Sequence, residues 1–88
     1  MRFDGKIALI TAAGAGIGRA TAGVIGTEGG TVVLVDTDES RLDSAVAEIK
    51  SKGGRVHARR ADALDPKQVG AVVEQTVSEL GRIDILLN

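Results

Sequence analysis

The sequence predicts an α/β fold in which helices flank both faces of a parallel sheet, in the order βαβαβαβ, as a three-layer arrangement. Three observations predict it. Short apolar runs alternate with stretches of 3.6-residue periodicity, glycines mark the changes between them, and Thr31-Val32-Val33-Leu34-Val35-Asp36 is continuously apolar up to its final acid. A continuous run of this kind expects burial on both faces, as parallel sheets require. Strands alternating with helices join through right-handed crossovers.

The first strand is read over residues 6–11, Lys-Ile-Ala-Leu-Ile-Thr, a run too short for a stable helix. Gly14-Ala15-Gly16-Ile17-Gly18 breaks it, and a helix follows to about Thr27. Ile17, Ala20, Thr21, Val24 and Ile25 share one face of that helix, and small residues there favour close approach to a sheet. Gly29-Gly30 ends it before the second strand, residues 31–36. Thr37 or Asp38 caps the next helix, whose stripe is Leu42, Ala45, Val46 and Ile49, and Gly53-Gly54 closes it.

Arg55-Val56-His57-Ala58-Arg59-Arg60-Ala61 alternates, as expected of a strand near the sheet edge with one side toward water. In Asp65-Pro66-Lys67-Gln68 the Asp caps, Pro takes the first helical position, and Gln sits at the reciprocal capping-box site. Val69, Val72, Val73, Thr76, Val77 and Leu80 line one face of this third helix, Gly81 stops it, and residues 83–87 begin a fourth strand. No internal repeat or low-complexity linker interrupts the series.

Composition narrows the function classes. Eleven Lys and Arg against twelve Asp and Glu give a net charge of −1, with no electrostatic basis for binding nucleic acid or an anionic membrane. Arg59-Arg60 reads as a small solvated basic spot, with phosphate contact as the alternative. There is no Cys, so neither a disulfide nor a cysteine metal site arises. His57 has no His or Cys partner at ligand spacing and reads as structural or solvent-facing, neither metal ligand nor general base. Phe3 is the only aromatic residue, so Val, Ile, Leu and Ala must build the interior. The N-terminus reads as neither signal peptide nor membrane span, and a cytoplasmic location is expected.

The chemistry lies in two pieces. Thr11-Ala12-Ala13-Gly14-Ala15-Gly16-Ile17-Gly18 stands between a predicted strand and a predicted helix. Glycines there allow a tight turn and close backbone approach. The unpaired N–H groups of the helix's first turn, with the positive end of its dipole, form a receptor for a pyrophosphate. A glycine-rich turn with no ligand is the alternative. Arg19-Ala20 follows the glycines where a triphosphate loop needs Lys and Ser or Thr, so kinase or NTPase chemistry is disfavoured.

The second piece is Asp36, eighteen residues after Gly18, at the carboxyl end of the second strand. A carboxylate there accepts both hydroxyls of an adenosine ribose and repels the extra phosphate of NADP, and Thr37 supplies no compensating cation. NAD is therefore the expected cofactor. The rival reading is a solvated, capping Asp. Asp62 ends the third strand on the same edge, where it can accept from an adenine amino group with Ala61 or Ala63 against the ring; its rival is a turn-forming acid. The mononucleotide-binding arrangement orders the strands 3-2-1-4, a Rossmann-type sheet.

These residues resemble the short-chain dehydrogenase/reductase family. Its Thr-Gly-x-x-x-Gly-x-Gly pattern is similar to Thr11-Ala12-Ala13-Gly14-Ala15-Gly16-Ile17-Gly18, and the likeness continues through Asp36, Asp62-Ala63-Leu64-Asp65 and Gly81-Arg82-Ile83-Asp84-Ile85-Leu86-Leu87-Asn88. The final stretch resembles the lead into the family's Asn-Asn-Ala-Gly motif, with Asn88 as its first Asn. The resemblance implies a cofactor site formed by Ala12, Gly14, Ala15, Gly16, Ile17, Gly18, Asp36, Asp62, Ala63 and Asn88, with no metal. Ala12 departs from the usual glycine; at positive φ its methyl would add roughly 1 kcal/mol of strain.

The family's catalytic Ser and Tyr-x-x-x-Lys lie beyond the fourth strand, and this chain has no Tyr. No catalytic residue is therefore assigned. Lys6, Lys50, Lys52 and Lys67 are expected away from the cofactor edge. Residues 1–88 are thus read as the N-terminal part of one NAD(P)-binding domain, truncated after the fourth strand.

The expected function is that of an NAD-dependent oxidoreductase. NAD(H) is its partner, an alcohol or ketone is the substrate of the full-length form, and a homo-oligomer is the expected assembly. The alternative is a non-catalytic dinucleotide-binding or regulatory module. An apolar edge on the fourth strand would invite pairing with another chain, so the 88-residue product alone is expected to be poorly soluble, molten or oligomeric.

Overall fold

A computed structural model describes residues 2–11 and 16–88. The elements are β1 (Ile7–Thr11), α1 (Gly16–Thr27), β2 (Thr31–Asp36), α2 (Glu39–Ser51), β3 (Arg55–Arg60), α3 (Pro66–Leu80) and β4 (Ile85–Leu87). All strand pairs are parallel, and the sheet order is β3-β2-β1-β4. Ile7 pairs with Thr31, Thr31 with Arg55, and Ala8 with Ile85. The carboxyl ends of all four strands thus lie along one edge.

Helices cover both faces, and strand alternation divides the core between them. On one face Ala8, Ile10, Val32 and Leu34 pack with Ala22 and Ile25 of α1 and Leu42, Ala45 and Ile49 of α2. On the other, Leu9, Val33 and Val35 pack with Ala61 and with Val72 of α3. Leu9, Ile10, Leu34 and Ile49 are among the largest fully buried side chains, each worth about 1.5–3 kcal/mol of transfer free energy.

The face of α1 differs from the one its larger apolar residues suggest. Ala22, Ile25 and Gly26 are buried, whereas Ile17 is 84% and Val24 46% exposed. The reason is closeness. A Cβ built on Gly26 would stand 3.0 Å from Ile49 Cγ2 and 3.8 Å from Val32 Cγ2. The helix buries Ile25 together with its small residues Ala22 and Gly26 and leaves Ile17 and Val24 outside.

Caps fix where the other helices begin. The Asp38 carboxylate accepts from Arg41 N–H at 3.1 Å, and the Asp65 carboxylate accepts from Lys67 N–H at 3.0 Å, with Pro66 at the first helical position. Gln68 corrects the reciprocal capping-box expectation. Its Nε2 donates to Asp65 Oδ2 at 3.0 Å, while its Oε1 accepts from the Asp62 N–H at 2.8 Å. The Asp65 N–H is already taken by the Asp62 carbonyl, so Gln68 reaches past it. Gly81 ends α3 at φ 94°, in the left-handed region that favours glycine.

The fourth strand begins later than expected, at Ile85, because Asp84 is tied to the start of β1. Its carboxylate accepts from Ile7 N–H at 2.9 Å, its own N–H donates to the Ile7 carbonyl at 2.8 Å, and Arg82 Nε lies 3.0 Å from both carboxylate oxygens. The Ile7 N–H, together with Arg82, holds this carboxyl below the usual carboxylate range. Arg82 also donates to the Gly5 carbonyl at 2.7 Å.

β3 is the edge strand, as expected, but its side chains do not alternate cleanly; residues 56–59 are all half-buried. Arg59 departs from a solvated basic spot. Its Nη2 donates to Glu79 of α3 at 2.7 Å, and its Nη1 to the Ala58 carbonyl at 3.0 Å. His57 is half-buried in β3, opposite Val33. Among the described residues no group of three or more His, Cys, Asp or Glu is placed to hold a metal, and no helix is long and apolar enough to cross a membrane.

Candidate cofactor site

In an open parallel sheet the carboxyl edge is where loops and helix N-termini converge on a ligand. Four sequence-derived candidates stand there. From the outer strand inward they are the Asp62-Ala63 turn after β3, Asp36 ending β2, Gly16 opening α1 after β1, and Asn88 after β4. Adjacent strands are about 4.8 Å apart, so Asp36 and Asn88, two strands apart, are separated by roughly 10 Å across the edge.

Gly16 has φ +62°, a conformation costly for other L-residues, and a Cβ there would meet nothing within 4 Å. Its requirement is therefore conformational rather than spatial. No acidic residue occupies the first turn of α1, so nothing there opposes an anion at the positive end of the dipole. Ile17 is exposed and Gly18 half-buried beside it. Ala12, Gly14 and Ala15 lie outside the described residues.

Asp36 is only 9% exposed. Its Oδ1 accepts from Asp38 N–H at 3.1 Å and lies 3.5 Å from the Thr37 hydroxyl. The turn that caps α2 thus also orients this carboxylate. Between Asp36 and the β3 turn lies a small open hollow of about 170 Å³, lined by Val35, Asp36, Thr37, Ala61, Asp62 and Ala63. Small alanine walls beside two carboxylates fit a flat purine with its ribose, and this is the respect in which the residues present suit a dinucleotide.

Asp62 also does what its rival reading expects. Its Oδ1 accepts from Leu64 N–H at 2.9 Å, shaping the turn. At the other end of the edge, the Thr11 hydroxyl donates to Asn88 Oδ1 at 3.0 Å and lies 3.4 Å from the Leu87 carbonyl. This contact fixes Asn88 beside the end of β1, and its only sequence signal is Thr at the end of one strand and Asn after its neighbour.

Among the lysines, Lys6, Lys50 and Lys52 stand at the opposite end of the sheet or of α2. Lys67 does not: in the first turn of α3 it is exposed on the carboxyl edge, a correction to the expectation for all four. The larger hollow of about 430 Å³ also lies opposite, where Asp4, Gly29, Lys52 and Arg55 mark the amino ends of the strands. Its size reflects an open rim between loops. The chemistry-bearing residues are elsewhere.

Fold and edge together define an α/β protein of the parallel, doubly wound kind. The sequence pattern of the short chain dehydrogenase family matches residues 6–88, and the chain belongs to that family. It is 42% identical over 88 residues to the 3-oxoacyl-(acyl-carrier-protein) reductase of Thermotoga maritima, covering all of this chain and 36% of that protein. Crystal structures are also similar. An NAD⁺-bound xylitol dehydrogenase aligns with TM-score 0.92 and 34% identity over 98% of this chain and 33% of that one. A metagenomic short-chain oxidoreductase in complex with NADP aligns with TM-score 0.93 and 30% identity over 98% of this chain and 39% of that one. The chain spans about a third of the length of the curated relatives it matches.

Proposed function

We propose that this chain holds the adenosine-diphosphate half of NAD(H) and forms the N-terminal part of an NAD-dependent oxidoreductase. The hydride would pass between the nicotinamide and an alcohol or ketone. The observation that carries this reading is the buried Asp36 carboxylate, oriented by Asp38 N–H beside the alanine-walled hollow at the carboxyl edge.

The chain's own residues divide the work of binding. Ala12, Gly14, Ala15, Gly16, Ile17 and Gly18 present backbone to the pyrophosphate, and the α1 dipole favours its charge. Asp36 accepts the two ribose hydroxyls, a role a second phosphate on that sugar would oppose by like-charge repulsion. Asp62 accepts from the adenine amino group while Ala63 lies against the ring. Asn88, held by Thr11, marks the way toward the nicotinamide end. When bound, the cofactor supplies the hydride-transfer chemistry itself.

Titration of the protein with NADH and NADPH by cofactor fluorescence tests the assignment. NADH should bind tighter, and Asp36→Ala should weaken NADH more than NADPH. Tighter NADPH binding by the unaltered protein, or equal losses in the variant, overturns the role given to Asp36. A binding module without chemistry is the competing reading. Reduction of NAD⁺ by a panel of secondary alcohols, in the longest natural form of the protein, separates the two.

A further inference from the structure

Asp36 is not the only charge at the ribose end. Arg60, the last residue of β3, is paired in register with Asp36, and its side chain turns across the end of β2. Its Nε donates to the Thr37 carbonyl at 3.2 Å. Thr37 in turn lines the hollow beside Asp36. The neighbouring Arg59 goes the other way, to Glu79 on α3, as alternation along a strand requires. Arg60 does not itself line that hollow and also borders one against α3, but the Thr37 carbonyl anchors it beside the proposed adenosine site by one of its five N–H groups, with the other four on the two Nη atoms.

Those four donors have no carboxylate partner among the described residues, and Arg60 is exposed. A guanidinium so placed has a defined chemical complement. It recognises phosphate oxygens in a two-pronged geometry that Lys cannot copy. Asp36 and Arg60 stand on adjacent strands, with backbones about 4.8 Å apart, close enough for both side chains to face one ribose substituent.

We infer that Arg60 is a specificity-determining residue that receives the 2′-phosphate of NADP and so limits the preference for NAD that Asp36 creates. The inference rests on the proposed cofactor site. In this arrangement the carboxylate accepts from a free 2′-hydroxyl, and the guanidinium offsets its repulsion when that hydroxyl carries a phosphate. Discrimination is then a difference between two opposed charges on neighbouring strands, rather than the effect of one acid. The Nε bond to the Thr37 carbonyl keeps the cation at the rim whichever cofactor is present.

The test measures dissociation constants of NADH and NADPH by cofactor fluorescence for the unaltered protein, Arg60→Gln and Arg60→Lys, at low and high salt. Arg60→Gln should raise the ratio of the NADPH constant to the NADH constant by about tenfold, the size of one lost charge-assisted hydrogen bond. The salt dependence of NADPH binding should fall with it. Arg60→Lys, which keeps the charge and loses the fork, should land between the two. An unchanged ratio in both variants, or equal weakening of both cofactors, overturns the inference and leaves the cofactor site standing. Absence of saturable binding of either cofactor to the unaltered protein removes the site itself. A purely structural role for Arg60 would lower thermal stability without moving the ratio.

Discussion

Two glycines three residues apart on α1 should respond oppositely to the same substitution. At Gly23 an added Cβ meets nothing within 4 Å, whereas at Gly26 it would press to 3.0 Å from the Ile49 Cγ2 methyl. Gly23→Ala removes the entropy cost of glycine inside a helix and should stabilise by about 0.8 kcal/mol. Gly26→Ala receives at most the same benefit, because it lies one residue from the helix end. Against that stands overpacking of a fully buried Ile49, which costs about 1–3 kcal/mol.

The two variants should therefore differ by about 1–3 kcal/mol, with Gly23→Ala the more stable. At about 4–8 °C per kcal/mol for a domain of this size, their melting temperatures should separate by roughly 4–24 °C. Thermal unfolding followed by circular dichroism measures the gap, and Ile49→Leu, which moves the offending methyl, should narrow it. Equal melting temperatures for the two alanine variants would refute the close approach of α1 to Ile49 of α2.

Three further outcomes follow from contacts at the strand ends and from the open edge. Thr11→Val removes the hydroxyl that holds Asn88 and should cost about 1 kcal/mol in urea unfolding; an unmoved midpoint would dismiss that bond. Asp84 has its folded pKa held below the unperturbed 3.8, so its tie adds stability above that pH and loses it as pH falls through the folded value. The stability gap between the protein and Asp84→Asn should accordingly shrink on acidification, and a gap constant with pH would contradict the shift. Sedimentation of the 88-residue chain should show concentration-dependent association reduced by Leu86→Lys, since Leu86 is 59% exposed on β4; a compact monomer would count against it.

How far the sequence could be read depended on what each element had to signal. The α2 stripe, the Asp38 and Asp65 caps and the Gly81 stop were legible because each rests on local chemistry (periodicity, a capping oxygen, a residue able to take positive φ), and the strand order because the βαβ series follows a known arrangement. The inner face of α1 was not. Periodicity weights large apolar residues, and Ile17 and Val24 outweigh Ala22 and Gly26 on that measure although it is Ala22 and Gly26 that are buried beside Ile25.

The candidate site shows the same division. Asp36 and the glycine loop carry their meaning in residue type and spacing. Arg60 does not, because its significance comes from being opposite Asp36 in the register and from a hydrogen bond to a carbonyl 23 positions away. Arg59 found its partner Glu79 across 20 positions, so a pair read together as one basic spot serves two faces. The double use of Gln68 depended on the turn bringing Asp62 N–H within its reach, which no capping pattern encodes.

The two lateral margins of the sheet have unlike character. On the β3 side Arg55 is exposed, Arg59 pairs with Glu79 of α3 and Arg60 turns to the Thr37 carbonyl, whereas β4 carries Ile85, Leu86 and Leu87. Of the two outer strands among the described residues, β3 is thus the one whose faces are dressed with cations and β4 the one whose faces are apolar.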